Sequence, residues 1–138
     1  MSEARSGSNA VAVGNKLLFA GGGNNSAYSN KVDIYDASTN TWSVATLSQA
    51  RYVSSAAALG NKVLFFTATP YSPGYFNQMD IYDAATNSWS TAQLNYSIVS
   101  QAITAGNQIF IGGGTVKLDT ASPQNTAKPT CQVWTYQF

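Results

Sequence analysis

The chain has 138 residues and a net charge of +1, and only 9% of its residues are charged, against roughly 25% in an average globular protein. This length predicts one domain with a modest core. The lack of any basic cluster argues against binding to nucleic acid or to a membrane surface, and no apolar stretch approaches the ~18 residues of a transmembrane helix.

The first predicted elements are two short strands joined by a tight turn. Residues 10–13 are small and apolar, and residues 17–20 form a continuous apolar run that is typical of a strand buried on both faces. Gly14 and Asn15 between them form a two-residue hairpin signal, because both tolerate the positive φ of a type I′ turn.

Two further strands follow in the same repeat. Residues 32–35 alternate, with Val and Ile on one face of the strand and Asp and Tyr on the other. Residues 36–40 predict a turn, since Asp and Asn side chains hydrogen-bond to nearby backbone groups. Trp42 begins a fourth strand that runs to about Leu47. Since no segment shows a helical period, we predict an all-β chain.

This set of elements is repeated. Residues 32–42 and 79–89 share eight of eleven positions in the phrase D-I-Y-D-A-x-T-N-x-W, and the Gly-Asn pair returns at Gly60 and Gly106. Three repeats of 46 or 47 residues, each a four-stranded antiparallel unit, are typical of β-propeller blades. We therefore predict one domain over residues 1–138, with blades at about 1–47, 48–94 and 95–138.

The order of residues within each repeat resembles the kelch repeat. An Arg precedes an apolar strand, then come Gly-Asn, a second apolar strand, a double Gly, the D-I-Y-D strand, Thr-Asn and Trp. Repeat 2 has Thr67-Ala68 in place of the double Gly. Repeat 3 keeps Gly113-Gly114 and Tyr136 but replaces Asp-Ile with Trp-Thr. The competing WD40 family expects Gly-His and Trp-Asp pairs, and the chain contains neither.

The third blade is predicted to lack its outer strand. With strands lettered A to D, the sequence contains A-B-C-D twice and then A-B-C, and residues 1–5 align with residues 47–51. Propellers close with roughly four to eight blades. Two interpretations therefore stand: two copies form a six-bladed homodimer, or the chain is a fragment of a longer kelch protein. Self-association is the expectation we favour, because open blade faces would expose much apolar surface.

The sequence offers no catalytic or metal-binding constellation. It contains no His and one cysteine, Cys131, so we expect no disulfide, metal or cofactor. Four of its six acids, Asp33, Asp36, Asp80 and Asp83, belong to the repeated phrase, and we assign them a structural role in the turn. The Gly-rich segments lack the P-loop continuation and are interpreted as places of close backbone approach. The recurring Tyr and Trp residues are interpreted mainly as packing between blades.

Candidate ligand-binding residues come from the loops that differ between repeats. The loops after strand B carry Tyr28, Tyr71 and Tyr75 among Asn, Ser and Gly, a mixture that suits an adaptable recognition surface. The resemblance to kelch propellers implies that the B–C and D–A loops share one face and form the ligand surface. By position it adds Arg5, Arg51, Tyr52 and Tyr96, for which solvated turn residues are the alternative.

These observations predict a non-catalytic kelch-type module that binds a protein segment or a glycan on its B–C and D–A loop face. The alternative function is a structural segment that assembles through its blade faces into a ring without a small-molecule ligand. The glycosylation sequons at Asn24 and Asn95 and the low charge lean towards an extracellular location, although residues 1–8 lack the apolar region of a signal peptide.

Overall fold

The computed structural model describes residues 1–67, 78–94, 101–113, 115–116, 128–129 and 133–137. These residues form thirteen β-strands and no helix, which confirms the all-β prediction. No helix in the described part of the chain has the length and apolarity needed to cross a membrane.

Three antiparallel sheets follow one another along the chain, each with its strands in sequence order. Sheet 1 consists of β1 (Asn9–Val13), β2 (Lys16–Ala20), β3 (Lys31–Asp36) and β4 (Thr41–Thr46). Sheet 2 consists of β5 (Val53–Leu59), β6 (Lys62–Thr67), β7 (Gln78–Asp83) and β8 (Ser88–Gln93). Sheet 3 contains β9 (Gln101–Ala105), β10 (Gln108–Gly112) and β13 (Val133–Tyr136).

The strand counts of four, four and three agree with the blade-like units predicted from the repeat. A difference lies between β10 and β13, where a loop was predicted over residues 115–130. There β11 (Thr115–Val116) pairs with β12 (Lys128–Pro129) in a short antiparallel ladder. Two-residue strands bury too little apolar surface to leave a periodic signal in the sequence.

The turns between the first two strands of each sheet depend on glycine. Val13 pairs directly with Lys16, so Gly14 and Asn15 form the two-residue loop that was predicted. Gly14 has φ +54°, but Asn15 does not have a positive φ. The predicted type I′ turn is therefore wrong, because only the first loop residue takes the positive φ, as in a type II′ turn.

Each sheet is apolar on both faces, and the core lies between sheets. One cluster joins sheet 1, through Leu18, Val32 and Ile34, to Val63 and Phe65 of sheet 2. A second cluster joins the other face of sheet 2 to sheet 3, with Leu64, Phe66 and Met79 packed near Ile109 and Ile111. We call the side of a sheet that is directed towards the next sheet its following face, and the opposite side its preceding face.

The first strands of neighbouring sheets, β1, β5 and β9, also contact one another through polar groups. The Ser55 hydroxyl lies on the backbone of Ala102, accepting from its N–H at 2.8 Å and donating to its carbonyl oxygen at 3.3 Å. The Asn9 side-chain amide donates to the carbonyl oxygen of Ser54 at 3.4 Å. These contacts link β1 to β5 and β5 to β9, so the first strand of each sheet lies beside the first strand of the next.

The glycine that follows β2 lies close to the backbone of another segment. Gly21 has φ +65°, and a Cβ there would lie 2.5 Å from the Arg51 carbonyl oxygen. Gly60 has a similar φ of +58° with no atom within 4 Å of such a Cβ. We expect Gly60→Ala to lower the free energy of unfolding by about 1 kcal/mol from backbone strain alone, and Gly21→Ala by roughly 3 kcal/mol, because the backbone must also move apart. Urea unfolding measures both, and equal losses would contradict the close approach.

Candidate interaction surface

The loop between β2 and β3 is held on both sides by other segments. On one side, Ser6 and Gly23 exchange backbone hydrogen bonds of 2.8 and 2.9 Å. On the other side, the Gly22 N–H donates to the Arg51 carbonyl oxygen at 3.1 Å, and the Arg51 N–H donates to the Ser29 carbonyl oxygen at 3.1 Å. Residues 21–30 and the connection between β4 and β5 therefore lie together at one end of the sheets, which we call the loop face.

A buried ion pair anchors the β4–β5 connection beneath the loop face. The Arg51 guanidinium contacts the Asp80 carboxylate on β7, and both side chains are almost completely buried. Asp80 also accepts hydrogen bonds from the Ser48 N–H at 2.9 Å and the Ser48 hydroxyl at 3.1 Å. The connector from sheet 1 is thereby fastened to the third strand of sheet 2.

The N-terminal segment repeats this arrangement on sheet 1. Arg5 Nη2 donates to Asp33 Oδ2 at 2.6 Å and to the Phe19 carbonyl oxygen at 3.0 Å, and Arg5 Nε donates to the Gly21 carbonyl oxygen at 2.9 Å. The Ser2 N–H donates to Asp33 Oδ1 at 2.6 Å, as the Ser48 N–H does to Asp80. Residues 1–5 and 47–51 therefore have equivalent roles.

Both arginines predicted at the ligand surface have buried guanidinium groups. They are also not the solvated turn residues of the alternative interpretation, since each side chain is about 1% exposed. Burial would raise the pKa of Asp33, but hydrogen bonds from Ser2 and Arg5 outweigh it and hold that pKa below its ordinary value of 3.8. The arginines support the loop face from below.

Two of the predicted tyrosines lie together at the surface. The rings of Tyr28 and Tyr52 have centroids 5.0 Å apart and meet edge to face at 69°. Tyr28 is 47% exposed and Tyr52 is 36% exposed. Gly7 lies beside them, and a Cβ there would come within 2.6 Å of the Tyr52 ring. The pair therefore presents exposed aromatic surface where the β2–β3 loop and the β4–β5 connection meet.

A small pocket of about 160 Å³ lies next to Tyr28 on the loop face. Glu3, Asn24, Ser29 and Lys31 contribute to its lining, so both signs of charge are present. The Glu3 carboxylate already accepts a hydrogen bond from the Ser29 hydroxyl. Three further predicted residues, Tyr71, Tyr75 and Tyr96, lie outside the described residues.

The repeated phrase has separate structural tasks. Asp36 and Asp83 are the last residues of β3 and β7, next to the turns. They accept hydrogen bonds from the N–H groups of Ser38 and Ala85 and pair with Lys16 and Lys62. Asp33 and Asp80 lie inside strands and bind the buried arginines. The predicted structural role therefore holds for all four, but the placement in the turn is wrong for the second pair.

The Tyr, Asn and Trp of the phrase act together. The Tyr35 hydroxyl donates to the Asn40 side-chain oxygen at 2.9 Å, and the Tyr82 hydroxyl donates to that of Asn87 at 2.9 Å. Both Asn residues have φ +53°. Trp42 and Trp89 pack against these tyrosines, with centroids 5.1 and 5.0 Å apart. The Tyr, Asn and Trp of the repeated phrase therefore contact one another within a single turn region, where one strand ends and the next begins.

The family model of the Kelch motif matches residues 4–46 of the chain. These residues are similar to a kelch repeat, in agreement with the predicted resemblance. They include Arg5, the Gly21-Gly22 pair, Tyr35 and Trp42, whose contacts are described above. A comparison with curated proteins found no match. Within the described residues, no group of three or more Cys, Asp or Glu side chains is arranged to hold a metal ion.

One exposed residue was missed by the sequence interpretation. Packing between sheets holds for Trp89, which is partly buried against the cluster that joins sheets 1 and 2 and also contacts Phe65 of its own sheet, with ring centroids 5.7 Å apart. Trp42 is 54% exposed, and no other sheet of the described residues covers it. Both residues occupy the same position in their repeats, so only their neighbours in the tertiary structure distinguish them.

Removal of Arg51 tests the anchor beneath the loop face. Arg51→Met would leave the Asp80 carboxylate buried without its charged partner, and we expect a loss of about 3–5 kcal/mol in the free energy of unfolding. Adding Asp80→Asn should restore part of that loss, because the unpaired charge disappears. Lys62→Met is the matched control at a partly exposed ion pair and should have a much smaller effect. Equal losses for Arg51→Met and Lys62→Met in denaturant unfolding would contradict this role.

The lowered pKa of Asp33 predicts an acid dependence of stability. Its folded pKa lies below the ordinary 3.8, so its contribution is complete above that pH and is lost as the pH falls through the folded pKa. We expect Asp33→Asn to be destabilised most above pH 3.8, and the wild-type and variant curves to converge as the pH falls below 3.8 and through the folded pKa. Thermal unfolding across this range measures the difference. A constant difference at all pH values would exclude a titrating Asp33.

Proposed function

We propose that the chain is a non-catalytic, kelch-type interaction module that holds a ligand on its loop face. The observation that carries the proposal is the exposed pair of Tyr28 and Tyr52, whose ring centroids lie 5.0 Å apart. Tyr28 lies on the β2–β3 loop and Tyr52 on the β4–β5 connection, and backbone hydrogen bonds join these two segments. The kelch repeat itself supports an interaction role, since repeated scaffolds use their variable loops for recognition.

The rigidity of this loop favours tight binding. Backbone hydrogen bonds fix residues 21–30 before any ligand arrives, so little loop-ordering entropy is lost on association. Tyrosine has few rotatable bonds and offers both apolar area and a hydroxyl group. Two such rings side by side, with Asn24 and Ser29 nearby, can cover an apolar side chain and hydrogen-bond to a peptide backbone.

A protein segment fits these features better than a glycan. The mixture of Tyr, Ser, Asn and Gly around the pair is that of surfaces that recognise proteins. A catalytic role has little support, because each of the five acids that the structure describes already accepts a hydrogen bond. The carboxylates of this region are therefore used for structure.

The loop-face proposal is tested by a search for ligands followed by substitution. A random-peptide display library and a glycan array, both probed with the full chain, identify the ligand, and calorimetry gives its Kd. We expect peptide ligands, with Tyr28→Ala and Tyr52→Ala each weakening binding by at least about 10-fold, because truncated aromatic anchors lose more than 1 kcal/mol.

The control for this test is Asn107→Ala, an exposed change in the turn at the opposite end of the sheets. It should leave the Kd unchanged, and circular dichroism should show that all three variants fold. Unchanged affinity in both tyrosine variants would refute the loop face. Binding only to glycans would replace the protein segment as the ligand class.

A further inference from the structure

The preceding face of sheet 1 carries large apolar side chains that no other sheet of the described residues covers. Trp42 is 54% exposed and Val44 is 51% exposed, and Leu17 of the same face is also exposed. The equivalents of Leu17 and Trp42 in sheet 2 are Val63 and Trp89, which pack against the following face of sheet 1. The chain therefore already contains one contact in which a preceding face, that of sheet 2, packs against a following face, that of sheet 1.

In the part of the chain that the structure describes, the exposed face of sheet 3 is the opposite one, its following face. Ile103 is 68% exposed and Val133 is 63% exposed. Val133 has the position in sheet 3 that Val32 has in sheet 1, since Val133 pairs with Gly112 as Val32 pairs with Ala20. Ile103 has the position in sheet 3 that Ala57 has in sheet 2, since Ile103 pairs with Phe110 as Ala57 pairs with Leu64. Val32 and Ala57 are buried because the next sheet covers them.

We infer that the preceding face of sheet 1 in one copy of the chain packs on the following face of sheet 3 in a second copy. Within the chain, a following face already packs against a preceding face twice, between sheets 1 and 2 and between sheets 2 and 3. The two faces that we pair are the repeat equivalents of these packed faces. The contact is head to tail, since two different surfaces meet. Two such contacts close a ring of six sheets, within the four to eight blades of known propellers.

The chemistry of the two faces supports a second copy as the occupant. The large exposed side chains of the two faces are apolar, with exposed Thr46 on the first face and exposed Gln101 and Thr135 on the second beside them, so their contact removes hydrocarbon from water on both sides. The charges of Arg5 and Asp33 on the sheet 1 face already neutralise each other in a buried pair. A net charge of +1 leaves little repulsion between copies. This inference is independent of the loop-face ligand, because the loop face lies at one end of the sheets.

One variant for each face tests the contact in the full chain. Light scattering of the wild type should give about twice the 14.6 kDa of one chain, independent of concentration. Val44→Asp on sheet 1 and Ile103→Asp on sheet 3 should each weaken the dimer Kd by more than about 100-fold, because an unpaired charge would be buried at both junctions. Asn107→Asp adds the same charge in an exposed turn and should leave the Kd unchanged.

Mixing the two variants separates head-to-tail packing from other modes. Val44→Asp retains its sheet 3 face and Ile103→Asp retains its sheet 1 face, so an equimolar mixture can form one intact junction and should associate more tightly than either variant alone. Thermal unfolding of each variant checks that the monomer is folded. A monomeric wild type at about 100 µM would overturn the inference and leave these faces to a different protein. An effect from only one variant, or particles that grow with concentration, would also overturn it.

Discussion

The buried ion pair of Arg51 and Asp80 is the interaction on which the loop face depends. Two opposite charges removed from water are tolerated only when they satisfy each other, so this contact fixes its surroundings tightly. The backbone of Arg51 in turn accepts from Gly22 and donates to Ser29, which sets the position of the loop above it. Arg5 and Asp33 repeat the device on sheet 1. The backbone of the loop that carries Tyr28 is therefore held by contacts that do not involve the Tyr28 side chain.

Packing between sheets imposes a second constraint. A sheet that is apolar on both faces requires a neighbour on each side, and sheet 2 has both. Among the described residues, sheets 1 and 3 each have one face that no other sheet covers. The same sequence pattern therefore gives buried positions in one sheet and exposed positions in another, and the difference depends on what lies beside each sheet.

Much of the fold could be predicted from local patterns. The alternation along β3, the Gly-Asn turns and the return of Tyr, Asn and Trp at fixed offsets all reflect contacts between residues close in sequence. The site was predicted less well. Arg5 and Arg51 were expected beside a ligand because they precede a strand near variable loops, but their partners are Asp33 and Asp80, 28 and 29 residues away. No local pattern reports such a pairing, although the recurrence of both residue types in two repeats is a signal for it.

The sequence by itself determined the repeat, the strands and the turns, because strand alternation and the positive φ of turn residues depend on a few neighbouring residues. The tertiary structure alone decided which equivalent residues are buried. Trp42 and Trp89 have the same local environment, yet Trp42 is exposed and Trp89 is partly buried against the core between sheets 1 and 2. Burial is a property of the assembled sheets, since a side chain leaves water only when another surface covers it.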